Sequence, residues 1–186
     1  MFIRPTFFKM LIKQAAKGSI LTLRNDGENL IISGAIWTAV IDKISMPNWA
    51  KACLVEWCGE LPAPGVQFAV RDGGNQIEME TLELPEPAGQ LYKPTTIMIW
   101  NNQVLQNAKG DLALCNFDYV ASISRNEIET EHGESDVEGP YVDMEYVTWK
   151  NNRMIFRCMR SYATEYKHVI DALKGVNLGP AFSERA

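Results

Sequence analysis

The densest group of chemically active side chains in this 186-residue chain is acidic. Glu127, Glu129, Glu131, Glu134, Asp136, Glu138, Asp143 and Glu145 fall in a stretch with no Lys or Arg between Arg125 and Lys150. On a strand over 126–132, Glu127, Glu129 and Glu131 would project from one face about 6.6 Å apart, twice the rise per residue. One DNA strand carries a phosphate every ~3.4 Å of axis, so the row is a sparse imitation of a polyanion. The same pattern also suits a solvated edge strand guarded by charge. On the first reading, Glu127, Glu129, Glu131, Glu134, Asp136 and Glu138 form a face for a protein partner with a basic surface, such as a nucleic-acid-handling complex.

The cations fall into two groups. Lys9, Lys13 and Lys17 recur at intervals of four, and no acidic residue precedes Asp26. Like charges at that spacing destabilise a helix by ~0.2–0.5 kcal/mol per pair, so the stripe is either a solvated face or a match for an anionic partner. The second group lies in "RMIFRCMR", residues 153–160. On a strand, Met154, Phe156 and Cys158 share a core face, while Arg153, Ile155, Arg157 and Met159 share the other. Arginine stems pack over apolar surface with their heads in water, which accounts for that second face without a ligand. If nucleic acid is bound, Lys9, Lys13, Lys17, Arg153, Arg157 and Arg160 are the candidates.

Catalytic signals are sparse. No GxxxxGK[ST], GxGxxG or GxSxG pattern occurs, so phosphate-cradling loops and the nucleophile elbow are missing. "EYK" has the Glu-x-Lys spacing of metal-dependent nucleases, with Glu165, Lys167 and an upstream Asp143 as the set. That chemistry needs a strand beside the aspartate, whereas the segment reads as helix. His132 and His168 are far apart, and Cys53, Cys58, Cys115 and Cys158 form no CxxC pair. The chain therefore reads as binding no metal or cofactor, with four reduced and mostly buried thiols.

These side chains must be carried by short elements. Thr6 is placed to cap a helix over 7–17, with Phe8, Leu11, Ile12 and Ala15 on one face and Gly18 as its stop. "SILTLRNDGENLII" reads as a hairpin about Asn25-Asp26-Gly27, and "AIWTAVID" as a third strand. Ser45 opens a second helix with Pro47 in its first turn and Gly59 at its end. That helix is apolar on most sides, which predicts a place between layers. "VQFAV" and "IEMETLEL" are strands, and "TTIMIWNNQVLQ" and "YVTWKNNRMIF" are hairpins, each with Trp shortly before Asn-Asn. "DLALC", a short helix "NFDYVASIS" and the strand "NEIETEH" lie between them. A last helix in "SYATEYKHVIDALKG" presents Tyr166, Val169, Ile170 and Leu173. The expectation is an α+β protein, mainly antiparallel, with three to four helices in one domain over 1–186. A two-lobe division is placed near 84–94, at "PEPAGQLYKP".

A hydrophobic content of 46% and charged content of 22% are those of a soluble globular protein. The net charge of -5 argues against a general nucleic-acid binder. The N-terminus is broken by Arg4, Pro5 and Lys9, unlike a signal peptide, and the longest apolar run is too short to span a bilayer. A cytoplasmic location follows as the expectation.

Residues 116–160 resemble the last half-module of a bacterial DNA sliding clamp, with "NFDYVASI", "GPYVDMEYV" and "RMIFRCMR" in the places of its helix, apolar strand and final basic strand. The opening helix with "SILTL" and "NLIIS" is similar to a clamp module's first helix and hairpin. The chain is shorter than a clamp subunit and lacks throughout-basic helices, so the resemblance implies clamp-like half-modules without DNA encirclement. Its small, acidic profile also looks like that of phage or mobile-element inhibitors such as anti-CRISPR proteins, and of toxin-immunity proteins. The leading expectation is thus a non-enzymatic inhibitor acting through the acidic surface. A DNA-associated clamp-like accessory protein and a metal-dependent nuclease are the alternatives.

Overall fold

The computed structural model describes residues 1–71, 75–77, 89–124, 137–162, 164 and 166–179. Among them lie four helices and eleven strands. The first half runs α1 (Pro5–Gly18), β1 (Leu21–Asn25), β2 (Asn29–Ser33), β3 (Trp37–Asp42), α2 (Asn48–Cys58), β4 (Gln67–Arg71) and β5 (Asn75–Ile77). The second runs β6 (Gln90–Ile99), β7 (Asn102–Asn107), β8 (Leu112–Asn116), α3 (Phe117–Ser122), β9 (Glu138–Val142), β10 (Tyr146–Lys150), β11 (Met154–Met159) and α4 (Lys167–Leu173). The strands join in the order β5-β4-β1-β2-β3-β11-β10-β9-β6-β7-β8, and every described pairing is antiparallel. The α+β class with a mainly antiparallel sheet is therefore as the sequence predicts.

The junction of the two halves is β3 against β11, with Ile41 opposite Met154, Ala39 opposite Phe156 and Trp37 opposite Cys158. Alternation puts all six of these side chains on one face of the sheet, where α1, α2 and α3 cover them. Phe8, Leu11, Ile12, Ala15 and Ala16 supply the α1 contribution, at the spacing of a helix with one apolar face. Phe156 is fully buried, and its ring lies 6.5 Å from Trp37, 6.0 Å from Tyr119 and 6.2 Å from Trp149. A second, smaller cluster of Ile99, Val104 and Leu114, from β6, β7 and β8, uses the opposite face, and Tyr166 with Val169 and Ile170 of α4 packs on it.

Turn chemistry explains the hairpins. Asp26 Oδ1 accepts the backbone N–H groups of Glu28 and Asn29, and Gly27 takes φ +109, so the β1–β2 link closes in three residues. Asn151 Oδ1 does the same for Arg153 and Met154 between β10 and β11. Between β6 and β7 the turn is Trp100–Asn101, with Trp100 at φ +54. The β6 pairing shifts register between Pro94 and Met98, where proline offers no N–H to a ladder. Thr95 repairs the gap: its hydroxyl donates to the Val104 carbonyl at 2.9 Å and accepts the Ile97 N–H at 3.1 Å. The Gln103 amide donates to the Thr95 carbonyl.

The second half of the sheet curls back on itself. Leu114 of β8 bridges to Ser161, just beyond β11, although five strand-to-strand steps separate β8 from β11 in the sheet order. Cys115 and Cys158 meet inside this curl with sulfurs 3.7 Å apart.

Several local expectations are corrected. Helix α1 begins at Pro5 after Arg4, and Thr6 does not cap it, because proline's fixed φ already suits the first helical position. Pro47 is the residue before α2, and Ser45 donates to Asp42 instead of opening the helix. Helix α2 is not between layers: Ala50, Cys53, Leu54 and Cys58 are buried, while Ala52, Val55 and Glu56 face solvent. Helix α4 is only seven residues long, shorter than the last helix the sequence suggests. Within "PEPAGQLYKP", Gln90–Pro94 is strand; its first residues, like most of "IEMETLEL" and all of "NEIETEH", lie outside the described residues. Among the described residues, no helix is long and apolar enough to cross a membrane.

Candidate binding surfaces

Helix α1 carries the first candidate. Its apolar face is committed to the core, so Lys9, Lys13 and Lys17 are held outward and exposed. Among the described residues no carboxylate lies within ion-pair distance of any of the three. Lys17 is further ordered by Trp57 of α2, whose ring centroid is 5.2 Å from its Nζ.

The arginines lie elsewhere. Arg157 projects from the sheet face opposite the helices, because Phe156 and Cys158 beside it point into the core. Its guanidinium sits 4.4 Å from the centroid of Tyr146, the diagonal cross-strand neighbour set by the pairs Thr148–Arg157 and Tyr146–Met159. Arg160 donates to the Asp143 carbonyl at 3.2 Å and lies 5.9 Å from the Tyr162 ring. Arg153, in the β10–β11 turn, is half-buried and engaged. Burial would raise Asp42, but hydrogen bonds from Ser45 and Ile44, with a smaller contribution from the Arg153 charge, hold it below the usual carboxylate range. The structure thus separates the three lysines on α1 from Arg157 on the opposite face of the sheet, with Arg153 and Arg160 at the two ends of β11. Their tyrosine partners escaped the sequence reading, although the "WKNN" turn sets the hairpin register that makes Tyr146 and Arg157 neighbours.

Of the acidic candidates, Glu127, Glu129, Glu131, Glu134 and Asp136 lie outside the described residues. Glu138 is exposed at the start of β9, and its carboxylate already accepts from the Tyr141 hydroxyl at 2.9 Å and pairs with Lys150 at 3.3 Å. Those two contacts, the Tyr141 hydrogen bond first, hold Glu138 below its ordinary pKa. Its charge is met within the fold.

Of the nuclease set, the described members do not lie on a strand. Lys167 opens α4 and is paired with Asp171 at 2.7 Å; Asp143 Oδ1 is taken by the Glu145 and Tyr146 N–H groups, and Glu165 lies outside the described residues. Among the described residues no group of three His, Cys, Asp or Glu side chains could hold a metal ion.

All four cysteines are free and buried. Burial, with a smaller push from Cys53, moves Cys58 up to about 12, and burial followed by the hydrogen bond to Cys115 carries Cys158 well above the usual thiol range. Thiolates are the reactive form, so these groups are inert while the fold is intact. A chromogenic disulfide reagent near neutral pH should titrate four thiols in denaturant and far less than one equivalent in the native protein over the same time. Fast native labelling would overturn this burial pattern.

No protein-family model matches the chain, and no curated protein matches it either.

Proposed function

We propose that this chain is a non-enzymatic binding protein of a nucleic-acid system, with α1 docking on a phosphate backbone. The observation that carries the reading is the outward row Lys9, Lys13 and Lys17, exposed and without a carboxylate partner among the described residues. From Lys9 to Lys17 the helix rises about 12 Å. One DNA strand offers three to four phosphates over that length, at ~3.4 Å each. An isolated like-charge row costs helix stability, and an opposing polyanion turns that cost into attraction. In this reading Arg157 plays no part, because it leaves the opposite face of the sheet. The clamp-like alternative draws support from a helix followed by a three-strand meander occurring twice, α1-β1-β2-β3 and α3-β9-β10-β11, with β3 and β11 paired at their meeting. The test is anisotropy of a labelled DNA duplex across a salt series. Binding at low salt with a log–log slope near -3 is expected, about -0.9 per phosphate neutralised. No binding at low salt removes the proposal.

The second reading keeps the acidic stretch as the working surface of an inhibitor that meets a basic, nucleic-acid-handling protein. It rests on the eight carboxylates from Glu127 to Glu145 with no cation among them. Replacing Glu127, Glu129 and Glu131 by Gln should slow association with a captured basic partner, most strongly at low ionic strength. An unchanged association rate returns the stretch to a charge-guarded edge, since exposed charges contribute little to stability.

A further inference from the structure

We propose that the end of the sheet where β3 begins and β11 finishes is a docking site for a short segment of a protein partner, one carrying a large apolar side chain beside a single acidic one. Four large side chains at that end stay in water: Met144 of the β9–β10 turn at 84% exposure, Tyr162 just beyond β11 at 62%, Ile36 just before β3 at 49% and Met159, the last residue of β11, at 41%. Their backbones are tied together. The Met159 N–H donates to the Ile36 carbonyl at 2.8 Å, the Tyr162 hydroxyl donates to the Met144 carbonyl at 2.9 Å, and Met159 pairs with Tyr146 across the hairpin. Methionine adapts to irregular apolar shapes, and tyrosine and arginine dominate the energetics of protein contacts.

Size and charge choose the occupant. At roughly 200 Å² for a large side chain, these exposed fractions amount to on the order of 400–500 Å². A stable dimer buries roughly 800 Å² per partner, so the patch suits a short segment better than a second copy. A phosphate backbone would gain nothing from the methionines. The guanidinium of Arg157, stacked on Tyr146 at 4.4 Å, and that of Arg160, 5.9 Å from the Tyr162 ring, lie at this end, and among the described residues no carboxylate lies within ion-pair distance of either. The Asp143 carboxylate at this end is taken up by backbone N–H groups. Glu145 remains exposed beside the patch and disfavours a segment with several acidic residues. A stacked guanidinium is prearranged for a carboxylate, which selects one acidic residue next to the apolar anchor.

The test is selection of a random dodecapeptide display library on the immobilised full chain, followed by binding of the most enriched peptide in solution. Enriched sequences should pair a large apolar residue with one Asp or Glu within two positions. Met144→Ser and Tyr162→Ala, both at exposed positions, should each weaken that peptide at least about tenfold, the scale of an anchor residue. Changing the peptide's acid to its amide should weaken it similarly. The proposal is overturned by no enrichment above a Met144→Ser surface, by enriched peptides without an acid, or by an amide peptide that binds equally well. It is also overturned by sedimentation in which the wild-type chain dimerises and Met144→Ser does not, which would make the occupant a second copy.

Discussion

Phe156→Ala will lower the unfolding free energy by about 3–5 kcal/mol, the range for truncating a fully buried aromatic. The expectation is at the upper end because the ring is fully buried and touched by Trp37 from β3, Trp149 from β10 and Tyr119 from α3. Three rigid rings on three elements cannot collapse together into the space a phenyl ring leaves, so most of the cavity would persist. Urea unfolding should show an earlier midpoint with an unchanged slope, and Phe156→Leu should recover much of the loss. A shift under 1 kcal/mol would mean that the junction of β3 and β11 is not the centre of the core.

The second large effect is on binding. Changing Lys9, Lys13 and Lys17 together to Gln should weaken duplex binding by roughly two to three orders of magnitude near 0.1 M salt, because three counterions are no longer released. The log–log salt slope should fall toward zero by about 0.9 per lysine removed. Stability should hold or rise slightly, since the substitution removes like-charge pairs four residues apart. Equal weakening by Arg157→Gln would sink the α1 assignment, because that side chain leaves the opposite face of the sheet.

Local pattern carried much of this far. The apolar face of α1, the Asn25-Asp26-Gly27 turn, the two hairpins with Trp shortly before Asn-Asn and the core parity of Met154, Phe156 and Cys158 could all be read from spacing, because each depends on neighbours within a few residues. Helix α2 misled for a physical reason. Trp49, Ala52, Val55 and Trp57 are apolar, but two tryptophans can lie half-buried along the rim of a packed face while Val55 faces water. The strand through Pro94 was not legible because proline breaks a ladder, whereas Thr95 and Gln103 supply side-chain bonds that let a strand pass through. The pairing of β3 with β11, the approach of Cys115 to Cys158 and the patch around Met144 depend on contacts between distant positions, which no local period reports. The lysine stripe was visible as spacing; that it lies in a different layer from Arg157 was not.

The pairing at the junction also sets a timetable for synthesis. Strand β3 finds β2 at once, but its other neighbour is β11, whose residues leave the ribosome about a hundred residues later. At about 5–20 residues per second, that leaves Trp37–Asp42 with an unpaired, strongly apolar edge for on the order of ten seconds. Such an edge is a template for unwanted strand addition. Truncated or stalled chains ending before Met154 would keep it open permanently, so prematurely terminated products of this protein should be aggregation-prone substrates for chaperones even where the first three strands and α1 have already formed.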